Sequence, residues 1–226
     1  MGKLIVIDGV DCSGKETQAK LLYKAIRETR SDCEMISFPR YSEPSCELVR
    51  EYLNGTFGSK PDDVDPYTAS TFYAADRYAS YKCEPWGKCY DSGGIVIADR
   101  YMTSNIIHQA PKFKASDERQ EFVTWLACLE YVHNRIPVPD MVIYLDMPFE
   151  ILTKLLVERA KADGTENKLD IHEGNFEYLK RCRLINTSIN NKFKLWDTIN
   201  CADATGRLKS IDEIHDAIMA RVNTIL

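Results

Sequence analysis

Gly9-Val10-Asp11-Cys12-Ser13-Gly14-Lys15 is the segment of this sequence best equipped for chemistry. Gly9 and Gly14 let the backbone turn tightly and aim its N–H groups inward, and Lys15 adds a positive charge. Such a loop holds nucleotide phosphates, provided a strand leads into it and a helix opens after it. Both conditions are met: 3–8 is a short β-branched run, and the pattern after Lys15 reads as a helix to about Arg30. The expected ATP contacts are Gly9, Val10, Asp11, Cys12, Ser13, Gly14, Lys15, Glu16 and Thr17. After the Gly-Lys pair the motif expects Ser or Thr, whose hydroxyl binds Mg²⁺. Glu16 stands there instead, with Thr17 next. A carboxylate can bind Mg²⁺ directly or through water. Alternatively it points away, and the ion is held by nucleotide, water and another acid. The sequence leaves both open.

Three arginines could serve a second phosphorylated substrate. Phe38-Pro39-Arg40 falls at the carboxyl end of an expected strand, 34–38. Asp99-Arg100-Tyr101 falls at the end of another, 94–98. Tyr73 and Arg77 lie on a helical pattern over 66–82. Guanidinium groups grip phosphate bidentately and neutralise charge that develops during transfer. Taken singly, each is a solvated surface arginine. Their placement at strand ends predicts that they converge on the rim of the phosphate loop.

The elements that must position them alternate. Further strands are expected at 141–145 and, more weakly, 197–201. Helical patterns cover 44–54, 101–110, 117–134, 148–160, 173–194 and 210–224. Continuous apolar strands separated by helices predict an α/β fold: a five-stranded parallel sheet flanked by helices, with ligands beyond the carboxyl ends of the strands. The 226 residues suit a single nucleotide-binding domain over 1–226. Gly55–Pro66 and the charged stretch 161–173 read as mobile, the second as a lid.

Composition narrows the partners. At 44% hydrophobic and 28% charged the chain is an ordinary globular protein, and its net charge of -5 gives no general pull toward nucleic acid or acidic membranes. Asp8 and Asp11 interrupt the first apolar run too early for a signal peptide, and no stretch approaches membrane-spanning length. Gly2 invites lipidation, but Val6 stands where that pattern wants Ser or Thr. The eight cysteines form no CxxC pair and read as free thiols of a reducing, cytoplasmic compartment. Cys33, Cys128, Cys182 and Cys201 are expected in the core. The four histidines, at 108, 133, 172 and 215, pair with no cysteine at a metal spacing.

From the phosphate loop through Phe38-Pro39-Arg40, Tyr73…Arg77 and Asp99-Arg100-Tyr101 to the acids near 170–173, the chain resembles thymidylate kinases. The match runs in order over most of its length. The resemblance implies a P-loop nucleotide kinase fold, usually a homodimer, that transfers phosphate from ATP to dTMP with Mg²⁺. It implies that Asp11 touches the sugar hydroxyl of dTMP and that Arg40 and Arg100 grip its phosphate. Tyr73 would stack on the base, Arg77 bond a base carbonyl and Asn105 assist at the base edge. Phe38, Pro39 and Ser104 complete the expected pocket. His108 lies where some members carry a tyrosine that crowds the ribose 2′-position. Asp99 would help order Mg²⁺ and Lys15, so that Asp11, Glu16 and Asp99 are the metal candidates. Members place a catalytic cation in the loop or in the lid. Cys12 occupies the loop position, which leaves Arg159, Lys161 and Lys168. Arg159 is the strongest of these, and it joins Lys15, Arg100 and Asp99 as a catalytic candidate. Asp170 and Glu173 match lid acids, and equally suit the start of a helix.

Three other readings compete. One is a kinase for another nucleoside monophosphate. The second is a GTPase, although Asn191-Lys192-Phe193-Lys194 fails the Asn-Lys-x-Asp guanine signature at its last position. The third is a nucleotide-binding protein without turnover, which Glu16 suggests.

Overall fold

The computed structural model describes residues 1–162 and 170–226. Along the chain run β1 (Lys3–Gly9), α1 (Lys15–Arg27), β2 (Cys33–Ser37), α2 (Glu47–Leu53), α3 (Pro66–Cys83), α4 (Pro85–Asp91), β3 (Ile95–Asp99), α5 (Met102–Gln109), α6 (Ser116–Ala127), β4 (Met141–Asp146), α7 (Phe149–Ala162), α8 (Phe176–Phe193), β5 (Asp197–Asn200) and α9 (Ile211–Val222). The strands form one parallel sheet in the order β2-β3-β1-β4-β5. Leu4, Ile5, Val6 and Ile7 of β1, and Ile95, Val96, Ile97 and Ala98 of β3, are all but sealed from solvent. Burial on both faces is why these strands read as unbroken apolar runs.

The order places β1 at the centre, with the chain moving to opposite sides of it through β3 and β4. A crevice opens beyond the carboxyl ends at such a reversal. Gly9 closes β1 at φ +151°, where a Cβ would lie 2.7 Å from Ser13 Oγ and 2.9 Å from the Leu145 carbonyl. Only glycine lets the chain leave the strand there. α1 lays Ala19, Leu22 and Ile26 on the sheet at helical spacing, and Gln18 Nε2 ties it to α9 through the Ile211 carbonyl at 2.9 Å. Asp65 caps α3 by accepting from the Tyr67 and Thr68 amides, with Pro66 at the first helical position. Ser210 and Glu213 form a reciprocal capping box on α9.

Some expectations are corrected. α4 interrupts what read as connection, since Pro85 starts it and Gly87 permits it: a Cβ on Gly87 would meet the Tyr81 carbonyl at 2.1 Å. The helix expected over 117–134 changes to a π turn over 128–133. There Cys128 is exposed, against the expectation of a core thiol, while Cys33, Cys182 and Cys201 are buried; all eight are free. Gly2 is buried and donates its N–H to the Tyr90 carbonyl at 2.8 Å, which ties the start of β1 to the end of α4.

The same π turn carries Glu130 inward. Its carboxylate takes a two-pronged pair from Arg77 of α3, with Arg77 2% and Glu130 0% exposed. Removing one partner strands a buried charge, which costs far more than the intact pair contributes. Glu130→Ala is expected to lower unfolding free energy by about 3–5 kcal/mol, as read by urea denaturation. A change below about 1 kcal/mol, the range of an exposed pair, would show that the ion pair is not the anchor of α3.

Candidate active site

Two clefts open at the carboxyl edge of the sheet, and they share a wall. The smaller, of about 480 Å³, is lined among others by Tyr73, Arg77, Ser104, Asn105, His108 and His172. The larger, of about 1340 Å³, runs along Cys12, Gly14, Lys15, Glu16, Thr17, Asp99, Arg159 and Glu173. Asp11, Phe38, Pro39, Tyr41, Arg100 and Asp170 line both. A ligand in one cleft therefore meets a ligand in the other at Asp11 and Arg100.

The phosphate loop forms one side of the large cleft. Cys12 and Gly14 adopt left-handed conformations, at φ +60° and +85°. Gly14 precedes α1 with no side-chain cap, so the first amides of that helix face the cleft unspent. Lys15 is buried and donates from Nζ to the Val10 carbonyl at 2.6 Å. Burial, reinforced by the nearby Arg100 charge, pulls its ammonium down to about 8. Glu16 turns onto the exposed face of α1 and pairs with Lys20 at 2.5 Å.

Arg100 follows β3 at φ +68°, a conformation that is strained for a residue with a Cβ. Its N–H is held by the Ile7 carbonyl at 3.0 Å, and its guanidinium pairs with Asp11. That pairing holds the Asp11 carboxyl well below the usual range despite burial. Asp8 accepts from Thr103 Oγ1 at 2.6 Å and Ser104 Oγ at 2.7 Å, which fixes the start of α5 against β1. Ser104 thus reaches the cleft wall with its hydroxyl already committed. Asn105 donates to the Ser70 carbonyl at 3.2 Å.

Arg40 does not join the cleft. It binds Asp76, Glu84 and Ser45 and lines neither cavity, with its side chain 8% exposed. The expectation of three converging arginines is met by Arg77 and Arg100 alone. Arg40 instead fastens the loop after β2 to α3.

The far rim comes from α7 and the turn before α8. Arg159 reaches Glu173 at 2.5 Å in the large cleft. Lys161 is exposed and lines neither cleft; Lys168 and most of the expected lid, 163–169, lie outside the described residues. Asp170 Oδ1 accepts the His172 and Glu173 amides, both at 2.8 Å. Burial, with Asp11 and Glu173 nearby, raises its carboxyl to about 7. A carboxyl with a raised folded-state value penalises the fold only above its unfolded value, and the penalty grows until pH passes the folded value. Asp170→Asn keeps the acceptor oxygen and removes the charge. It is expected to raise Tm by about 2–4 °C, or about 1 kcal/mol after screening, at pH 8.5, and by less at pH 5. An equal change at both pH values in scanning calorimetry would refute a strained carboxylate.

A divalent cation has a partial fit. Asp99 accepts from Ser37 Oγ at 3.1 Å through Oδ2, while its buried Oδ1 has no partner. Among the described residues no group of three or more His, Cys, Asp or Glu side chains could hold a metal by itself. Asp99 therefore fits an ion that brings oxygens of its own, as phosphate-bound Mg²⁺ does. Glu16, paired with Lys20, and Asp11, paired with Arg100, have their carboxylates engaged elsewhere.

A family model described as thymidylate kinase matches residues 7–191. The chain belongs to the thymidylate kinase family. It is 31% identical to a probable thymidylate kinase of Pyrobaculum aerophilum over 72% of this chain and 73% of that one. It is 27% identical to a probable thymidylate kinase of Pyrococcus abyssi over 98% and 96% of the two. A solved thymidylate kinase from Candida albicans shares its fold at a TM-score of 0.71 and 23% identity, over 99% of this chain and 92% of that one. Among the described residues, no helix is long and apolar enough to cross a membrane. The Asn191–Lys194 stretch of the GTPase reading ends α8 rather than forming a base-binding loop.

Tyr41, Leu53, Tyr101, Gln109 and His172 also line the small cleft, and sequence reasoning named none of them as contacts. Tyr101 ends the Asp99-Arg100-Tyr101 motif and Tyr41 follows Phe38-Pro39-Arg40, where adjacency alone was a signal. His172 likewise sits between the lid acids Asp170 and Glu173, whereas Leu53 carried no signal.

Proposed function

We propose that this chain transfers the γ-phosphoryl group of ATP to dTMP, with ATP phosphates in the large cleft and the acceptor in the small one. The supporting observation is the wall common to both clefts, on which Arg100 and Asp11 stand where two phosphate ends would meet. Phosphoryl transfer asks little covalent chemistry of a protein; it needs positioning and charge. The amides opening α1 and Lys15 would hold the donor phosphates. Arg100 would exchange Asp11 for the acceptor phosphate and carry it toward the donor. Arg159 would leave Glu173 to stabilise the equatorial oxygens of the group in transit. Mg²⁺, carried in with ATP and held at Asp99, would neutralise phosphate charge.

Tyr73, with Asn105 and the edge of Arg77, offers the base an aromatic face and polar contacts. His108 and Phe38-Pro39 enclose the rest. Arg159 and Glu173, on the far rim of the large cleft, would help keep water from the donor. The family resemblance further supports a homodimer working in the cytoplasm, and sedimentation velocity checks the first.

The deciding experiment is turnover of a panel of monophosphates, dTMP, dUMP, dCMP, dGMP and dAMP, with ATP and Mg²⁺. A clear preference for dTMP is expected. Preference for another base would reassign the acceptor, and ATP binding without turnover of any would end the kinase reading.

A further inference from the structure

One side of the small cleft is built from two stacked imidazoles. His108 of α5 and His172 lie 5.4 Å apart with 10° between their ring planes. Behind them, His172 Nε2 stands 2.8 Å from the Tyr52 hydroxyl of α2. Lys112 Nζ donates to the same hydroxyl at 3.1 Å and to the Val64 carbonyl at 3.0 Å. Tyr52 is fully buried, and its ring meets both His172 and Tyr73 edge-on. None of Lys112, Tyr52 and His172 has a task in the reaction described above.

Counting protons orders the chain. An ammonium group can only donate, so the Tyr52 oxygen accepts from Lys112. Its own single proton is then available to His172 Nε2. An uncharged imidazole that accepts at Nε2 carries its proton on Nδ1. Burial keeps both rings uncharged: His108 is lowered to about 4, and His172 lies well below its ordinary value. Among the described residues the side chain of His172 makes its one hydrogen bond through Nε2, to Tyr52, and His172 lines the cleft.

The position suggests what that N–H meets. Asp11 and Arg100 mark the phosphate end of the cleft, and both act electrostatically on His172. Tyr73 marks the base end and touches Tyr52. Between phosphate and base a nucleoside monophosphate presents its sugar, whose oxygens accept hydrogen bonds.

We propose that Lys112 and Tyr52 are positioning residues that fix the proton of His172 on Nδ1, from which His172 donates a hydrogen bond to the sugar of the acceptor nucleotide. This rests on the acceptor reading of the small cleft. Left alone, a buried neutral histidine populates either tautomer, and one of them would present no donor to the cleft. Tyr52 selects the donor form, and Lys112 selects the direction of the Tyr52 hydroxyl.

Nitrogen-15 NMR of histidine-labelled, ligand-free protein tests the first half. His172 is expected as the Nδ1–H tautomer at pH 7.5, and Tyr52→Phe should convert it to a mixture. An Nε2–H or cationic His172 in the unsubstituted protein overturns the proposal. Kinetics test the second half. Tyr52→Phe should raise KM for the acceptor about tenfold, the loss expected for one ordinary hydrogen bond, with kcat and the KM for ATP nearly unchanged. Lys112→Met should act in the same direction more weakly, and it carries the test should Tyr52→Phe fold poorly. Tyr52→Phe combined with His172→Phe should be no worse than His172→Phe alone, because Tyr52 works through His172. Additive losses, or a fall in kcat with acceptor KM unchanged, overturn it. If no monophosphate binds at all, the acceptor reading fails, and the tautomer measured in the free protein still judges the relay separately.

Discussion

Arg100→Ala is expected to reduce phosphoryl transfer by about 10³–10⁵-fold, the range for removing an arginine that meets the transferring charge, while ATP still binds nearly as in the unsubstituted protein. Two features of its surroundings make the loss large. The guanidinium is held at the wall common to both clefts by a strained backbone at φ +68°, where both ligands would meet it. Its removal also strands Asp11, whose carboxylate would then face the incoming acceptor phosphate with nothing between them. Arg100→Lys keeps the charge but loses the planar fork, and it should recover only part of the rate. ATP would sit on the loop amides and Lys15, whose recorded hydrogen bond is to Val10 and not to Arg100, so calorimetric titration should find its affinity little altered. Near-normal turnover by Arg100→Ala would remove Arg100 from the reaction and leave the small cleft without a phosphate anchor.

The contrast between Arg100 and Arg40 shows what was legible in the sequence. Both are arginines at the carboxyl end of a strand, and sequence reasoning gave them one role. What separates them is the opposing chemistry. Asp76, Glu84 and Ser45 come from other parts of the chain to claim Arg40, whereas among the described residues the Arg100 side chain pairs with Asp11 of the phosphate loop alone. Strand ends follow from local pattern, but the carboxylate across a cleft follows from tertiary packing, which no spacing reveals. The same division explains the rest. The phosphate loop, all five strands and the α/β class rest on apolar periodicity and glycine placement, and they were legible within a residue or so. Helix α4 was hidden because Pro85 and Gly87 resemble breakers, although one starts the helix and the other yields to the Tyr81 carbonyl. Cys128 looked like a core residue until a π turn rotated it outward and Glu130 inward. His172 lies between the lid acids Asp170 and Glu173, but its partners Tyr52 and His108 lie far away along the chain, so nothing in the sequence showed their contact.

Lys15→Ala is expected to lower kcat by about 10²–10³-fold, the cost of losing one group aimed at developing charge, with a smaller change in the KM for ATP. In the ligand-free protein Lys15 is curled onto the Val10 carbonyl of its own loop and is held down to about 8 by burial and by Arg100. Binding energy toward a ground-state phosphate is therefore partly spent in releasing that contact. Charge that accumulates later, in the transition state, meets a lysine already freed. A pH profile should carry the mark of this environment. A lysine lowered to about 8 loses its proton as pH rises through that value, so kcat/KM for ATP, which reports the free enzyme, should fall above pH 8. Bound phosphates would raise Lys15 again, so kcat, which reports the complex, should hold to higher pH. Lys15→Arg, which cannot lose its proton in this range, should flatten the alkaline limb of kcat/KM even at reduced rate. A Lys15→Ala variant altered in KM alone, or a limb that persists unchanged in Lys15→Arg, would assign the titration and the transition-state charge to another group.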